Sequence, residues 1–246
     1  MADRSAEHWY PTAAYLYVLY LDGPALAWEY LRRNPDYRLD WLRRHRRSDA
    51  AQSWGLRLWE DPSRDARDAH PAWFLDHDSV IQLYPDASPP PDAKTFDFWR
   101  IPGRKHLIHD GRRLILVAHW PGHCARFALA DNLVDGMAFV YAVRVGAAPH
   151  ARSRAPDMPA FTATATPAAM ARGRPTPAAL LELHTVQALD ATLAGASLRE
   201  IAEGLFGSDA VAGWYADGGL RSRVRRLAQR GQSLMRGGYR RLAQIE

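Results

Sequence analysis

Ser197-Leu-Arg-Glu-Ile-Ala-Glu-Gly-Leu-Phe206 and, beyond Gly218-Gly219, Leu220-Arg-Ser-Arg-Val-Arg-Arg-Leu-Ala-Gln-Arg-Gly-Gln-Ser-Leu-Met-Arg236 are the stretches whose periodicity decides the fold. At about 100° per residue, Leu220, Val224, Leu227, Gly231, Leu234 and Met235 gather on one stripe, the spacing of a helix with one buried face. The opposite surface carries Arg223, Arg226 and Arg230 on one flank, Ser222, Gln229 and Ser233 along the crest, and Arg221 and Arg225 on the other flank. Eight arginines and no carboxylate lie between Gly218 and Ile245. A merely solvated helix mixes signs, because opposite charges four residues apart support each other and aid solubility. Guanidinium flanks around a polar crest suit a different task. They can straddle a major groove and contact both phosphate walls while the crest meets base edges.

The residues before this helix read as its support. Ser197-Leu-Arg-Glu200 fits a capping box, with Ser197 accepting from the Glu200 amide while the Glu200 side chain reaches back. It opens a helix over 198–206 with Leu198, Ile201, Leu205 and Phe206 on one face, stopped by Gly207. Pro177 to Leu193 reads as an earlier helix, its faces sampled by Leu180, Leu183, His184, Gln187 and Leu189, and Gly195 ends it. Helix, glycine turn and capped helix form the opening of a helix-turn-helix unit whose reader is Leu220 to Arg236. Ser208 to Gly219 exceeds the three or four residues of an ordinary turn, and Val211, Trp214 and Tyr215 are expected to pack it down. After Gly237-Gly238 permits a left-handed stop, Tyr239-Arg-Arg-Leu242 begins a last turn whose Arg240 and Arg241 add backbone contacts. Gly231 inside the reader implies close packing on another helix, or a bend. The candidate DNA contacts are therefore Arg221, Ser222, Arg223, Arg225, Arg226, Gln229, Arg230, Ser233, Arg236, Arg240 and Arg241.

The N-terminal part is also helical. In Pro24 to Arg33, Leu26, Tyr30 and Leu31 fall on one face, and Asn34-Pro35 ends that helix and caps the next. Tyr37, Trp41 and Leu42 are expected to face inward on the second helix. The run Arg43-Arg-His-Arg-Arg47 reads as a cationic last turn facing water, with phosphate contact as its alternative.

From about Trp73 to Arg144 the period shifts toward two. Phe96-Asp-Phe-Trp-Arg-Ile101 alternates, His109-Asp-Gly-Arg112 fits a hairpin turn, Arg113-Leu-Ile-Leu-Val-Ala-His119 reads as a buried strand, and Gly136 to Val143 as a closing one. These segments predict a small antiparallel sheet packed on the N-terminal helices. No glycine-rich phosphate loop opens a helix, so no nucleotide cofactor is indicated. Gly146 to Pro177 carries six prolines among Ala, Thr and Arg and reads as a tether. Its Arg152, Arg154, Arg172 and Arg174 read as solvated linker charge, with DNA backbone contact as the alternative.

Composition is consistent with this division. The 246 residues are 47% hydrophobic and carry 32 Lys plus Arg against 27 Asp plus Glu, a formal charge of +5. That size and apolar content can bury a core, and the charge leans toward polyanions. The only lysines are Lys94 and Lys105, so the cationic character is guanidinium, which suits bidentate phosphate and guanine contacts. A single cysteine, Cys124, excludes an internal disulfide and a Cys-based zinc finger, and a reducing cytoplasm is the expected compartment. No run approaches the roughly 20 apolar residues of a membrane span, Ala13 to Leu21 being too short.

The best enzymatic candidate is His119-Trp-Pro-Gly-His123-Cys124, with His106 and His109 nearby. Pro121 and Gly122 forbid the helical face that makes such a histidine pair a ligand pair, and the glutamate of a zinc protease motif is missing. Cys124 beside His123 points to the opposite strand face and reads as a small buried hydrophobe. No enzyme, no metal and no cofactor is expected. The nine tryptophans and ten tyrosines fall mostly outside the basic segment and read as core.

Arg221-Ser-Arg-Val-Arg-Arg-Leu227, Arg230-Gly231 and Gly237-Gly-Tyr-Arg240, preceded by Ser197 to Gly207, resemble a proteobacterial family long described only as a domain of unknown function. That family is a helix-turn-helix variant of transcription activators and antiactivators encoded on integrative and conjugative elements. Ala27-Trp-Glu-Tyr-Leu-Arg-Arg-Asn-Pro-Asp-Tyr37 is similar to the transcriptional-regulator-like domain often fused in front of it. The two resemblances cover roughly half the chain. With the periods and the proline-rich tether above, they give an α+β protein, N-terminal helices with a small antiparallel sheet and then an all-α helix-turn-helix-like domain, in three parts: residues 1–145 regulator-like, 146–177 linker, and 178–246 DNA-binding. They further imply an activator of excision or transfer genes that binds double-stranded DNA. RNA polymerase, a small antiactivator protein and a second copy of the chain are its candidate partners. Family antiactivators share the helical domain but bind the activator, so a protein-interaction module is the alternative.

Overall fold

The computed structural model describes residues 9–44, 48–74, 80–91, 93–101, 103–109, 114–120, 123–142, 175–215, 218–243 and 245. The chain forms two compact units, neither continuous in sequence: Met1–Ser48 with Asp61–Ala69 and Arg174–Ala243, and Asp49–Glu60 with His70–Gly173 and Gln244–Glu246. It is an α+β protein with a helical C-terminal region. Residues 143–174, nearly all of the expected linker and all four of its arginines, lie outside the described residues.

The first unit is helical. A 3-10 helix over Thr12–Tyr20 precedes α1 (Gly23–Leu31) and α2 (Pro35–Leu42). Asp22 caps α1 by accepting from the Ala25 amide at 3.0 Å, and Asn34 caps α2 by accepting from the Asp36 amide at 2.8 Å, with Pro35 at the first helical position. Trp28, Tyr30, Leu31 and Tyr37 are fully buried, and Trp28 meets Tyr37 edge to face. Leu42, expected to face inward, is 66% exposed. It lies five residues, or about 140° of helix, beyond Tyr37 and so leaves the buried face. Arg44 lies over the half-buried Trp41 ring at 4.1 Å, and residues 45–47 of the basic run lie outside the described residues.

The 3-10 helix and α1 find their partners at the far end of the chain, which holds α3 (Pro177–Leu193), α4 (Leu198–Phe206), α5 (Gly218–Ser233) and α6 (Tyr239–Ala243): the 3-10 helix packs on α3, and α1 on α6. The capping box at Ser197 and Glu200 is formed, and Gly195 and Gly207 end α3 and α4 at φ 82° and 88°, values that favour glycine. Ile201, Ala202 and Leu205 of α4 join Ala188, Ala191, Val224 and Leu227 in one core cluster, which Val211 and Trp214 close from the connecting segment. Tyr215, expected to pack there, is instead 83% exposed, pointing out of the same turn that buries Trp214. A Cβ on Gly231 would come within 2.9 Å of the Leu189 Cβ and 3.1 Å of the Thr185 carbonyl, so close packing on α3 is why glycine stands there. After α5 a wider turn over Leu234–Gly238 contains Gly237 at φ 141°, and α6 starts in a new direction.

The second unit holds a five-stranded sheet in the order β2-β3-β4-β1-β5, from β1 (Ile81–Pro85), β2 (Arg104–His109), β3 (Leu114–Trp120), β4 (His123–Leu129) and β5 (Phe139–Ala142). The apolar run at 114–120 is β3, interior to the sheet, where a strand with neighbours on both sides reads as continuous hydrophobicity. The His109 hairpin is formed, pairing His109 with Leu114, although its turn at 110–113 lies outside the described residues. Two expectations fail here. The sheet is mixed, because β1 pairs with β4 in parallel and leaves the β2-β3-β4 meander to complete the crossover. Phe96 to Ile101 is no strand: after a single bridge at Thr95 the chain turns at 98–100, where Asp97 Oδ1 accepts from the Trp99 amide at 2.9 Å and the Arg100 amide at 3.1 Å. Phe96 and Ile101 still enter the core with Leu83, Leu116 and Phe127.

Candidate nucleic-acid interface

The buried stripe of α5 is the one its spacing gives: Val224, Leu227, Ala228 and Gly231 inward, continued by Met235. Burying those residues forces the arginines to the rim and the outer face. Ser222, Arg223, Arg225, Arg226, Gln229 and Ser233 are exposed on α5, with Arg236 exposed in the turn beyond it and Arg241 exposed on α6. Arg225, Arg226, Arg236 and Arg241 make no ion pair with any described residue. These four guanidiniums keep their donors for an outside anion.

The other candidates are partly engaged. Arg221 donates to the Trp214 carbonyl at 2.9 Å with its guanidinium 5.6 Å from the Trp214 ring, which pins the segment before α5 to the helix start. Arg223 lies over Phe206 at 4.6 Å, and Arg240 over Tyr239 at 6.0 Å, contacts that orient a guanidinium while leaving its charge in place. Arg230 is ion-paired with Glu182 of α3, and Glu182 also accepts from the Tyr30 hydroxyl at 2.6 Å. Burial first, then the Glu182 charge, pushes the Tyr30 hydroxyl far above its ordinary range, so it remains a donor. Of the reader arginines, Arg230 alone is held by a carboxylate among the described residues.

Behind this face runs a buried polar network that the sequence did not reveal. Glu29 is fully buried and paired with Arg33 and, at 2.8 Å, with Arg32, and it accepts from the Ala66 amide at 2.6 Å. Arg33 continues to Asp190 of α3, which also accepts from the Tyr15 hydroxyl at 2.8 Å. Gln187 donates to the Trp9 carbonyl at 3.2 Å and the Thr12 hydroxyl at 3.1 Å, and Asn34 donates to the Met235 carbonyl at 3.0 Å. Burial pushes the Glu29 and Asp190 carboxyls up, but the charges of Arg33 and Arg32 and the hydrogen bonds these carboxylates accept together outweigh it and hold both below the usual carboxylate range. The partners are separated by 152 to 201 residues at the long-range links, beyond any local pattern.

The histidine candidates sit across the β3-β4 hairpin, His119 opposite Cys124 and Trp120 opposite His123, while residues 121–122 lie outside the described ones. No helix among the described residues is long and apolar enough to cross a membrane.

Residues 144–244 match the model of a T6SS transcription factor DNA-binding domain, and residues 8–58 that of a proteobacterial transcriptional regulator-like domain. Together these matches support a DNA-binding transcriptional regulator. Residues 78–125, covering β1 to the start of β4, match a domain of unknown function (DUF7011). No curated protein and no solved structure matches the chain. The DNA-binding match includes every described residue of α3 to α6, so the cationic face belongs to the part of the chain that resembles a DNA reader.

Proposed function

We propose that this protein is a cytoplasmic, non-enzymatic transcription activator that reads duplex DNA with the outer face of α5, in a helix-turn-helix-like arrangement supported by α4. The observation that carries the reading is the carboxylate-free cationic face, exposed at Arg225, Arg226, Arg236 and Arg241. Arg225 and Arg226 supply phosphate contacts on opposite flanks while Ser222, Gln229 and Ser233 address base edges. Arg236 and Arg241 extend the backbone contact past the turn at Gly237. An activator of this kind acts through RNA polymerase, and an antiactivator protein or a second copy of the chain would modulate it. Its genes are those for excision or transfer of an integrative and conjugative element, as the sequence resemblance implies. The matched domain's description points instead to type VI secretion genes.

Sequencing the duplex fragments retained by the purified chain at moderate salt tests the reading and separates the two gene classes. Affinity must fall steeply as salt rises, because each neutralised phosphate releases counterions. Retention that is absent, or indifferent to salt, refutes it in favour of a protein-binding module.

A further inference from the structure

The flank of α5 that carries Arg223, Arg226 and Arg230 also borders a groove against α3, with a volume of about 570 Å³. Its floor is apolar: Pro177, Leu180 and Leu181 from α3 and Leu227 from α5. Leu180 and Leu181 are 41% and 43% exposed, although the same helix buries Leu183 and Leu189 completely or nearly so. Its rim is cationic, with Arg223, Arg226 and His184 and with Arg230, whose charge is met by Glu182. The His184 ring meets Phe206 edge to face at 5.4 Å, on the same ring that Arg223 covers, so these side chains form one ordered wall. Burial and the Arg223 cation hold the imidazole pKa below its usual value, so the positive charge near neutral pH is that of the arginines.

An apolar floor with a few converging polar groups, in a volume within the roughly 300–1,000 Å³ of small-molecule sites, is the construction of a ligand pocket. A groove for a partner helix would run on for several turns. The geometry points to an effector site for a small organic monoanion, a carboxylate carried on a compact apolar body. Arg223 and Arg226 are three residues apart and therefore neighbours on the helix surface, where both can donate to one carboxylate. The apolar body then covers Leu180, Leu181 and Leu227. Arg226 also contacts phosphate in the function proposed above, so the ligand and DNA compete; this second half rests on that reading.

Calorimetric titration of the full chain with 1-naphthoate, and with 1-naphthylmethanol as its uncharged counterpart, tests the site. Naphthoate should bind one to one and saturably, and the alcohol about tenfold more weakly for want of the charge-assisted hydrogen bonds. Leu180→Asn/Leu181→Asn, a change at exposed positions that leaves the charge intact, should weaken naphthoate by about tenfold and leave duplex binding unaltered. Naphthoate should release duplex DNA from the wild type, and from the double variant only at higher concentration. Absence of saturable binding, or undiminished binding to the double variant, overturns the site. Saturable binding that leaves DNA in place overturns the competition. Saturable binding by a chain that retains no DNA supports the site and overturns the DNA reading alone.

Discussion

Arg33 and Asp190, 157 residues apart, meet as a two-bonded pair: Arg33 Nε donates to Oδ1 at 2.6 Å and Nη2 to Oδ2 at 2.8 Å. The parallel geometry makes this among the stronger kinds of charge-assisted contact, and it fastens the residues just past α1 to the last turn of α3. The third guanidinium nitrogen, Nη1, donates to the Glu29 carboxylate and to its backbone carbonyl, so one guanidinium compensates two carboxylates of the unit.

Arg33→Met is therefore expected to cost about 3 kcal/mol, because it takes from a fully buried Glu29 one of its two paired cations. Urea unfolding of the purified chain measures it. A loss below about 1 kcal/mol, the scale of an exposed pair, would contradict the buried network.

Acid should act on the same network. Glu29 and Asp190 titrate below their ordinary values of 4.5 and 3.8, so the unfolded chain takes up protons before the folded one does. The stability they contribute is fully present above the ordinary carboxylate range and disappears as pH falls through the depressed values. The urea midpoint should drop steeply below about pH 4.5, and less steeply in Arg33→Met. A wild-type midpoint that holds steady down to pH 3 would rule this out.

Gly231→Ala pits helix propensity against packing. Alanine favours a helix interior by about 1 kcal/mol over glycine, but here the new methyl meets a Cβ and a backbone carbonyl of α3, neither free to move aside. The expected net loss is about 1–2 kcal/mol by thermal or urea unfolding. A more stable variant would show that α3 and α5 can part without penalty.

Two substitutions probe the reader face in opposite directions. Arg225→Ala should weaken duplex binding and lower the salt slope by about one, with stability unchanged within about 0.5 kcal/mol. Glu182→Gln removes the carboxylate that holds Arg230 and should raise the slope by up to about one, as a further cation reaches phosphate. A slope unmoved by Glu182→Gln places Arg230 out of reach of DNA.

What the sequence made legible was local. The box at Ser197 and Glu200, the α3 bounds at Pro177 and Leu193, the stops at Gly195 and Gly207 and the Asn34-Pro35 cap each depend on residues within one or two turns. The buried stripe of α5 was equally plain, being a matter of period. What escaped depends on distant partners. Glu29, Asp190 and Glu182 look like ordinary surface acids until Arg33, Tyr15 and Tyr30 are placed against them. Phe96 to Ile101 alternates like a strand, yet Asp97 turns the chain there, a case of side-chain hydrogen bonding overriding period. The parallel pairing of β1 with β4 is a topological choice that neither strand's own residues encode.

Asn34, which caps α2 with its side-chain oxygen, donates from its side-chain amide to the Met235 carbonyl in the turn just past α5. One side chain thus serves two ends of the chain at once, and the resemblance to separate regulator-like and DNA-binding domains does not correspond to detachable modules. A fragment cut before α3 would strip Glu182, Gln187 and Asp190 of their partners and open the unit like an unfastened clasp. Anything that disturbs the first forty residues is felt mechanically just past the end of the proposed reader helix.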